Sequence, residues 1–390
     1  MKPAKSKGRK IVLVNQAANY LTIGLANAFS QRFFEVVLIT GSVHAQGEEL
    51  SPDIKVCRIN RWHERPVVKK LGSFSLALCL IWLLLRTRYR KYEVLFVSIP
   101  PMAYLLGLLL PSRFSALIWD VYPDLLRIKG VKENHPVFRC WSALNRLSFR
   151  KAWRIFTISE GMAATLSQYV DRSRLIVEPI WSIFQDERRI SAEQNSFVRE
   201  HRLEGKFVVQ YSGNIGVTHN VETLIDVAER LRGEDNILFQ IIGRGPRQPQ
   251  IKRMIHERNC GNLQLLPFQS DATFPQSLSA ADLGVVILHE SVSRGSVPSK
   301  AYNLMSLGIP SLYIAGINSE LARYASEYGC ARCFPAEDLE GIAEFIRKLA
   351  VDKTMQVDMQ ARAEEASRNF RRGNADRFVE RYLMPMEGDQ

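Results

Sequence analysis

Lys206–Gly216 reads KFVVQYSGNIG. Its first half, through Tyr211, is a short apolar run rich in β-branched and aromatic residues, the pattern of a buried strand. Its second half sets Gly213, Asn214 and Gly216 in a turn. The run NVETLIDVAERL that follows from Asn220 has apolar residues at helical spacing. Strand, glycine turn and helix in that order form the opening unit of a doubly wound α/β domain. Such a turn brings backbone N–H groups close to a partner, and a helix start carries partial positive charge. The expected partner is an anion.

Working outward, the same alternation fills the chain. KIVLVN, FEVVLIT, EVLFVSI, FSALIWDVY, RIFTIS and RLIVEPI precede the quoted stretch, and ILFQIIG, LQLLPF, LGVVIL and PSLYIA follow it. Short apolar runs separated by helix-length segments indicate parallel sheets. Two series imply two tandem Rossmann-like domains, residues 1–185 and 206–372. Between them lies the charged stretch DERRISAEQNSFVREHRLEG. Ligands of such sheets bind beyond the strands' carboxyl ends, so two facing domains are expected to enclose a central cleft. The last segment, 373–390, reads as a helix that packs back on the first domain.

The chain has 390 residues, 46% hydrophobic and 24% charged, an ordinary globular balance that allows two or three domains. Its formal net charge of +12 points to a polyanionic partner: nucleic acid, an anionic membrane or phosphorylated ligands. No nucleic-acid motif or aromatic-interleaved basic face accompanies the charge, so nucleic acid is not an expected partner. Of the six cysteines only Cys330 and Cys333 form a C-x-x-C pair. Without a second pair a zinc site is not expected, and the cysteines read as reduced thiols of a cytosolic protein. The basic N-terminus runs straight into a strand, which is not the pattern of a signal peptide.

FSLALCLIWLLLRTRYR, Phe74–Arg90, raises a membrane question. About a dozen apolar residues fall short of the roughly 18 needed to span a bilayer. Followed by Arg86, Arg88, Arg90 and Lys91, the helix could instead lie in the interface over anionic headgroups. The alternative is a buried helix whose last turn carries stabilising positive charge. The overall basic charge leans toward membrane contact.

Several strand-end features cluster after Lys206. IIGRGPR again places glycines, with Arg244, at the end of a strand. RGSVPSKAYNLMSLGIP gives a glycine loop, then Ser299 as N-cap and Lys300 opening a helix that Gly308 and Pro310 close. Amides from Gly213 to Gly216 and from the helix start near Ser299, with Arg244 and Lys300 as fixed cations, suit a phosphate-and-sugar site.

As an ordered set, YSGNIGVTHNVETLIDVAERL, IIGRGPR, LSAADLGVVIL and VPSKAYNLMSLGIP, with SIPPM and IWDVYPDLL earlier, resemble bacterial family-4 glycosyltransferases of the GT-B fold, the type that builds cell-surface polysaccharides. The resemblance implies that the second domain binds a UDP- or GDP-linked sugar and the first an acceptor saccharide, a polyprenyl-diphosphate-linked one being expected. It implies transfer with retention of configuration and without a metal or other cofactor, at the inner face of the cell membrane. Lys300 and Arg244 would then neutralise the leaving diphosphate. Asn303 stands where the family usually has a glutamate for the ribose hydroxyls, and Gly295 replaces an earlier one. Asn214 and His219 stand where an Arg and a Lys often occur. The phosphate-binding charge therefore rests on Arg244, Lys300 and Arg294.

In the first domain Asp120, in IWDVYPD, reads as an acceptor-binding carboxylate or base, or else as a turn or helix cap before Pro123. His289 and Glu290 read as a solvated loop that could touch the donor sugar, and Glu320 as a helix-start charge. Two competing functions share the architecture: a nucleotide-sugar epimerase and a non-catalytic partner subunit.

Overall fold

The structure is a computed structural model that describes residues 6–63, 67–216, 219–290 and 295–385. The chain divides into two compact units, Met1–Ile183 with Arg372–Gln390, and Phe184–Arg371.

The first unit is built on seven strands: β1 (Ser6–Val14), β2 (Phe33–Thr40), β3 (Lys55–Arg58), β4 (Glu93–Val97), β5 (Phe114–Ile118), β6 (Ile155–Thr157) and β7 (Leu175–Val177). They pair in parallel in the order β3-β2-β1-β4-β5-β6-β7. The sheet is buried on both faces where it is central, so β4 and β5 are near-continuous apolar runs. β3, KVCR, carries no such signal because it is an edge strand and mostly exposed.

The helix Asn374–Leu383 belongs to this first unit. Its Phe378 ring lies 4.0 Å from that of Phe156, and Tyr382 lies 5.1 Å from Phe29. Tyr382 Oη donates to Glu93 at 3.1 Å. Buried Glu178 is paired with Arg377 at 2.9 Å and with Arg381 at 3.1 Å.

The helix Val67–Arg86 is longer than the run from Phe74 suggested, because VVKKLGS joins it at the start. Val68–Arg86, 19 residues with mean hydropathy 1.8, is long and apolar enough to cross a membrane by length and composition. Only 22% of that stretch is buried. Ser73, Ala77, Ile81 and Leu85 form a buried seam at four-residue spacing, while Val68, Leu71, Leu76, Trp82 and Leu83 are exposed. The helix therefore docks by one face and leaves an apolar face uncovered among the described residues, with Arg86, Arg88, Arg90 and Lys91 exposed at its end.

The second unit has six strands: β8 (Phe207–Ser212), β9 (Ile237–Ile242), β10 (Leu263–Leu266), β11 (Leu283–Ile287), β12 (Ser311–Ile314) and β13 (Ala331–Phe334). Their order is β10-β9-β8-β11-β12-β13, all parallel. The order reverses beside β8, so the turn after β8 and the loop after β11 leave the sheet at its switch point, where doubly wound sheets take ligands. Inward-facing Val209, Tyr211, Phe239 and Ile241 share one core with the helices Glu222–Arg230 and Leu339–Val351.

Residues 186–205 fold as part of this unit. Asn195 accepts from Phe197 N at 3.0 Å and caps the helix Ser196–Glu200. Phe197, Val198 and Leu203 then pack with Val208 and Ile242 on the other face of the sheet. The stretch reads as a linker only because three apolar anchors are diluted among charges. β13 escapes sequence reading for the same reason as β3: it is short and at the edge. Cys330 just before it and Cys333 within it are free thiols pushed up to about 11 by burial, so neither is poised for redox chemistry.

Candidate active site

The turn after β8 is held by what precedes it. Tyr211, fully buried, donates its hydroxyl to Asn214 O at 2.6 Å, so the strand's last aromatic ring fastens the turn. Gly213 N donates to Ile242 O at 2.8 Å and Ile215 N to Arg244 O at 2.9 Å. Two of the four turn amides are thus spent on the neighbouring turn after β9, a correction to the sequence expectation that all are free. The amides of Asn214 and Gly216 have no acceptor among the described residues. The two turns nest so closely that a Cβ on Gly243 would stand 1.8 Å from Gly213 O. Glycine is required there because backbone fills the space a side chain would need.

Lys300, the first residue of the helix Lys300–Ser306 after β11, reaches back to this turn. Its Nζ lies 3.9 Å from the centre of the Tyr211 ring. A Cβ on Gly213 would stand 2.3 Å from its Cε. Lys300 as a residue is half-buried, but its Nζ is shut off from solvent and has no hydrogen-bond acceptor among the described residues. Burial brings this ammonium down to about 7. His219, on the same loop, is brought down to about 3, by burial first and by the charge of Lys300 second. At neutral pH His219 is therefore neutral, while Lys300 stands close to its midpoint. Ser212 and Asn303 line the cavity of about 20 Å³ beside Lys300.

The remaining expected residues are placed less tightly. Arg244 is exposed, and its guanidinium lies over the exposed Phe268 ring at 4.6 Å, not in the Lys300 cavity. Only its carbonyl joins the glycine turn. Ser299 stands at the helix start, but its backbone is already helical and its hydroxyl makes no capping bond, contrary to the N-cap expectation. Gly308 does close this helix, at φ +62°, with Ile309 N donating to Leu304 O at 2.9 Å. Arg294 lies outside the described residues.

Asp120 is half-buried two residues beyond β5. Its neighbour Asp124 accepts from Tyr169 Oη at 2.6 Å and from Gln168 at 3.0 Å. His289 and Glu290 are exposed after β11. Glu320 is buried and paired with Arg323, so it is a structural charge rather than a ligand.

Sequence reading missed the partners of the cations. Tyr211 reads only as a strand residue, and nothing in its spacing announces that Lys300 will lie on its ring. Phe268 carries a signal in retrospect: an aromatic residue directly after a strand-ending proline, where a core residue is not needed.

Residues 193–369 match the family glycosyl transferases group 1. Over 290 residues the chain is 26% identical to WcaI of Escherichia coli K12, which bears the name of a colanic acid biosynthesis glycosyl transferase; the match spans 71% of this chain and 70% of WcaI. WaaG, a glycosyltransferase involved in lipopolysaccharide biosynthesis, superposes with TM-score 0.73 at 12% identity, over 96% of this chain and all of WaaG. HepE of Anabaena, in complex with UDP and glucose, gives TM-score 0.72 at 14% identity over 96% and 99% of the two chains. The architecture is the GT-B fold, and the family match across the second unit supports a glycosyltransferase.

Proposed function

We propose that the protein is a retaining, family-4-type glycosyltransferase that moves a hexose from a nucleotide diphosphate sugar to a lipid-linked saccharide during cell-surface polysaccharide assembly. The observation that carries this reading is Lys300: a shut-off ammonium with no acceptor among the described residues, set against the glycine turn at the switch point of the unit that matches the family. A buried cation without an anion is costly, and an incoming diphosphate supplies the missing partner. The naming of WcaI for colanic acid biosynthesis and of WaaG for lipopolysaccharide biosynthesis supports the polysaccharide setting, and HepE with UDP supports the donor class.

In this mechanism the glycosidic bond to the diphosphate breaks and negative charge grows on the leaving oxygen. Lys300 and the amides of Asn214 and Gly216 stabilise that charge, each such contact contributing on the order of 3 kcal/mol. Arg244 leaves Phe268 to add a second cation, and Asn303 holds the ribose hydroxyls. The cations replace a divalent metal, so turnover persists in EDTA. Asp120 serves the acceptor. The exposed apolar face of Val67–Arg86, with its terminal arginines, lies on an anionic membrane surface where the lipid-linked acceptor resides.

The test is transfer from a panel of nucleotide sugars, with wild-type protein and Lys300→Ala compared. Transfer that needs both acceptor and Lys300 supports the reading. Donor epimerised without acceptor, or unchanged output in Lys300→Ala, refutes it.

A further inference from the structure

Gln210, Gln240 and Gln264 occupy matching positions on the adjacent strands β8, β9 and β10. Their side chains form a directed ladder. Gln210 Nε2 donates to Gln240 Oε1 at 3.0 Å, Gln240 Nε2 to Gln264 Oε1 at 2.9 Å, and Gln264 Nε2 to His201 O at 3.4 Å. Gln210 Nε2 also donates to Ser277 O at 2.9 Å. A backbone carbonyl can only accept, so Ser277 and His201 fix the amide orientation at both ends. Both protons of Gln210 Nε2 are used. Its Oε1 is then the open acceptor that starts the ladder, buried and without a donor among the described residues.

Gln210 is 1% exposed, and it lines the same cavity as Lys300, together with Ser212 and Asn303. Gln210 and Lys300, each carrying a buried polar atom without a partner among the described residues, therefore line one small chamber. At about 20 Å³ it has room for one water molecule. Each rung of the ladder polarises the next, and donation through Nε2 makes Gln210 Oε1 a stronger acceptor. A core strand position would ordinarily hold an apolar residue, and three adjacent glutamines there call for a reason beyond packing.

We infer that Gln210 is a positioning residue for Lys300, its ladder-oriented Oε1 holding the ammonium through a single water in the shared cavity. This rests on the diphosphate reading only for its purpose, since the geometry concerns the free protein. The polarised oxygen favours the charged lysine and holds it ready for an anion. Among the described residues, the titratable groups against Lys300 are Tyr211 from β8 and His219 from the loop after it, and His219 stays neutral in the range tested.

The experiment follows the 13Cε resonance of Lys300 through a pH titration of the ligand-free protein, assigned by its loss in Lys300→Arg. Gln210→Met removes the acceptor and is expected to lower the midpoint, by about half a unit or more. Gln210→Glu, close in shape, puts a carboxylate beside the cavity and is expected to raise it by about one unit or more. Should Gln210→Met fail to fold, Gln210→Glu decides alone. Midpoints within about 0.2 unit of wild type in the folded variants, as a purely structural ladder would give, overturn the assignment. Because no nucleotide is present, that result leaves the diphosphate reading untouched. A shifted midpoint in a protein that binds no nucleotide sugar would refute that reading and keep this one.

Discussion

Lys300 occupies the space that any side chain at position 213 would claim: a Cβ on Gly213 would lie 2.3 Å from Cε and 2.6 Å from Nζ. The glycine therefore admits the lysine to its seat on Tyr211. Gly213→Ala should displace the flexible end of Lys300 and also strain the turn, because φ at this position is +145°. Affinity for a nucleotide sugar is expected to drop about tenfold or more, or roughly 1.4 kcal/mol. Combined with Lys300→Ala the loss should be much less than additive, since both changes remove one contact. Calorimetric titration of the single and double variants checks this.

Lys300→Met should stabilise the protein while abolishing transfer. The ammonium is held near 7 when folded, against 10.5 for an ordinary lysine, so folding below pH 7 carries a buried charge. Between those values the unfolded chain binds a proton that the folded chain does not, and wild-type stability rises with pH. The advantage of the methionine variant is thus largest below pH 7 and shrinks toward pH 10.5. Thermal unfolding of both proteins across pH measures it, with about 2–4 °C expected per kcal/mol.

The same group sets the pH dependence of donor binding. Below pH 7 Lys300 already carries its proton. Above it a proton must be taken up with the ligand, so affinity should fall by up to about tenfold per pH unit. A nucleotide sugar suits this measurement because its diphosphate diester does not titrate there. A flat profile from pH 6 to 9 would contradict the role of Lys300.

Arg244 in the free protein lies on Phe268, 4.6 Å from the ring centre. Arg244→Ala is expected to lower transfer about tenfold or more with little change in melting temperature, because the side chain is exposed. Steady-state kinetics with saturating acceptor would show it.

Membrane contact is checked by sedimentation with anionic liposomes. Reversing Arg86, Arg88 and Arg90 to glutamate should weaken binding and its salt sensitivity, and Leu76→Glu with Leu83→Glu should abolish the remainder. Equal sedimentation of all forms would remove the apolar face of Val67–Arg86 from the account.

Much of the architecture was legible because a buried parallel sheet writes itself as apolar runs. KFVVQYS, ILFQII and LGVVI could hardly be anything else. β3 and β13 were not legible, since β3 is an exposed edge strand with charged ends and β13 is four residues long and interrupted by Arg332. The apolar anchors Phe197, Val198 and Leu203 were hidden among charges. At the site, Lys300 and the glycine turn could be named from chain order and from the family resemblance. What spacing cannot convey is direction: Arg244 follows a strand end as expected, yet its guanidinium turns to Phe268. Likewise the three glutamines sit 30 and 24 residues apart, and only strand register makes them one ladder.

The central claim is that Lys300, seated at the Gly213 turn, is the cation that receives a sugar nucleotide's diphosphate. Calorimetry of wild type and Lys300→Ala against UDP, GDP and their sugars tests it most directly. The account predicts that at least one of these ligands binds wild type and binds Lys300→Ala about tenfold or more weakly, with the variant still folded. Equal binding by the two proteins, or no binding of any of these ligands to wild type, would contradict it.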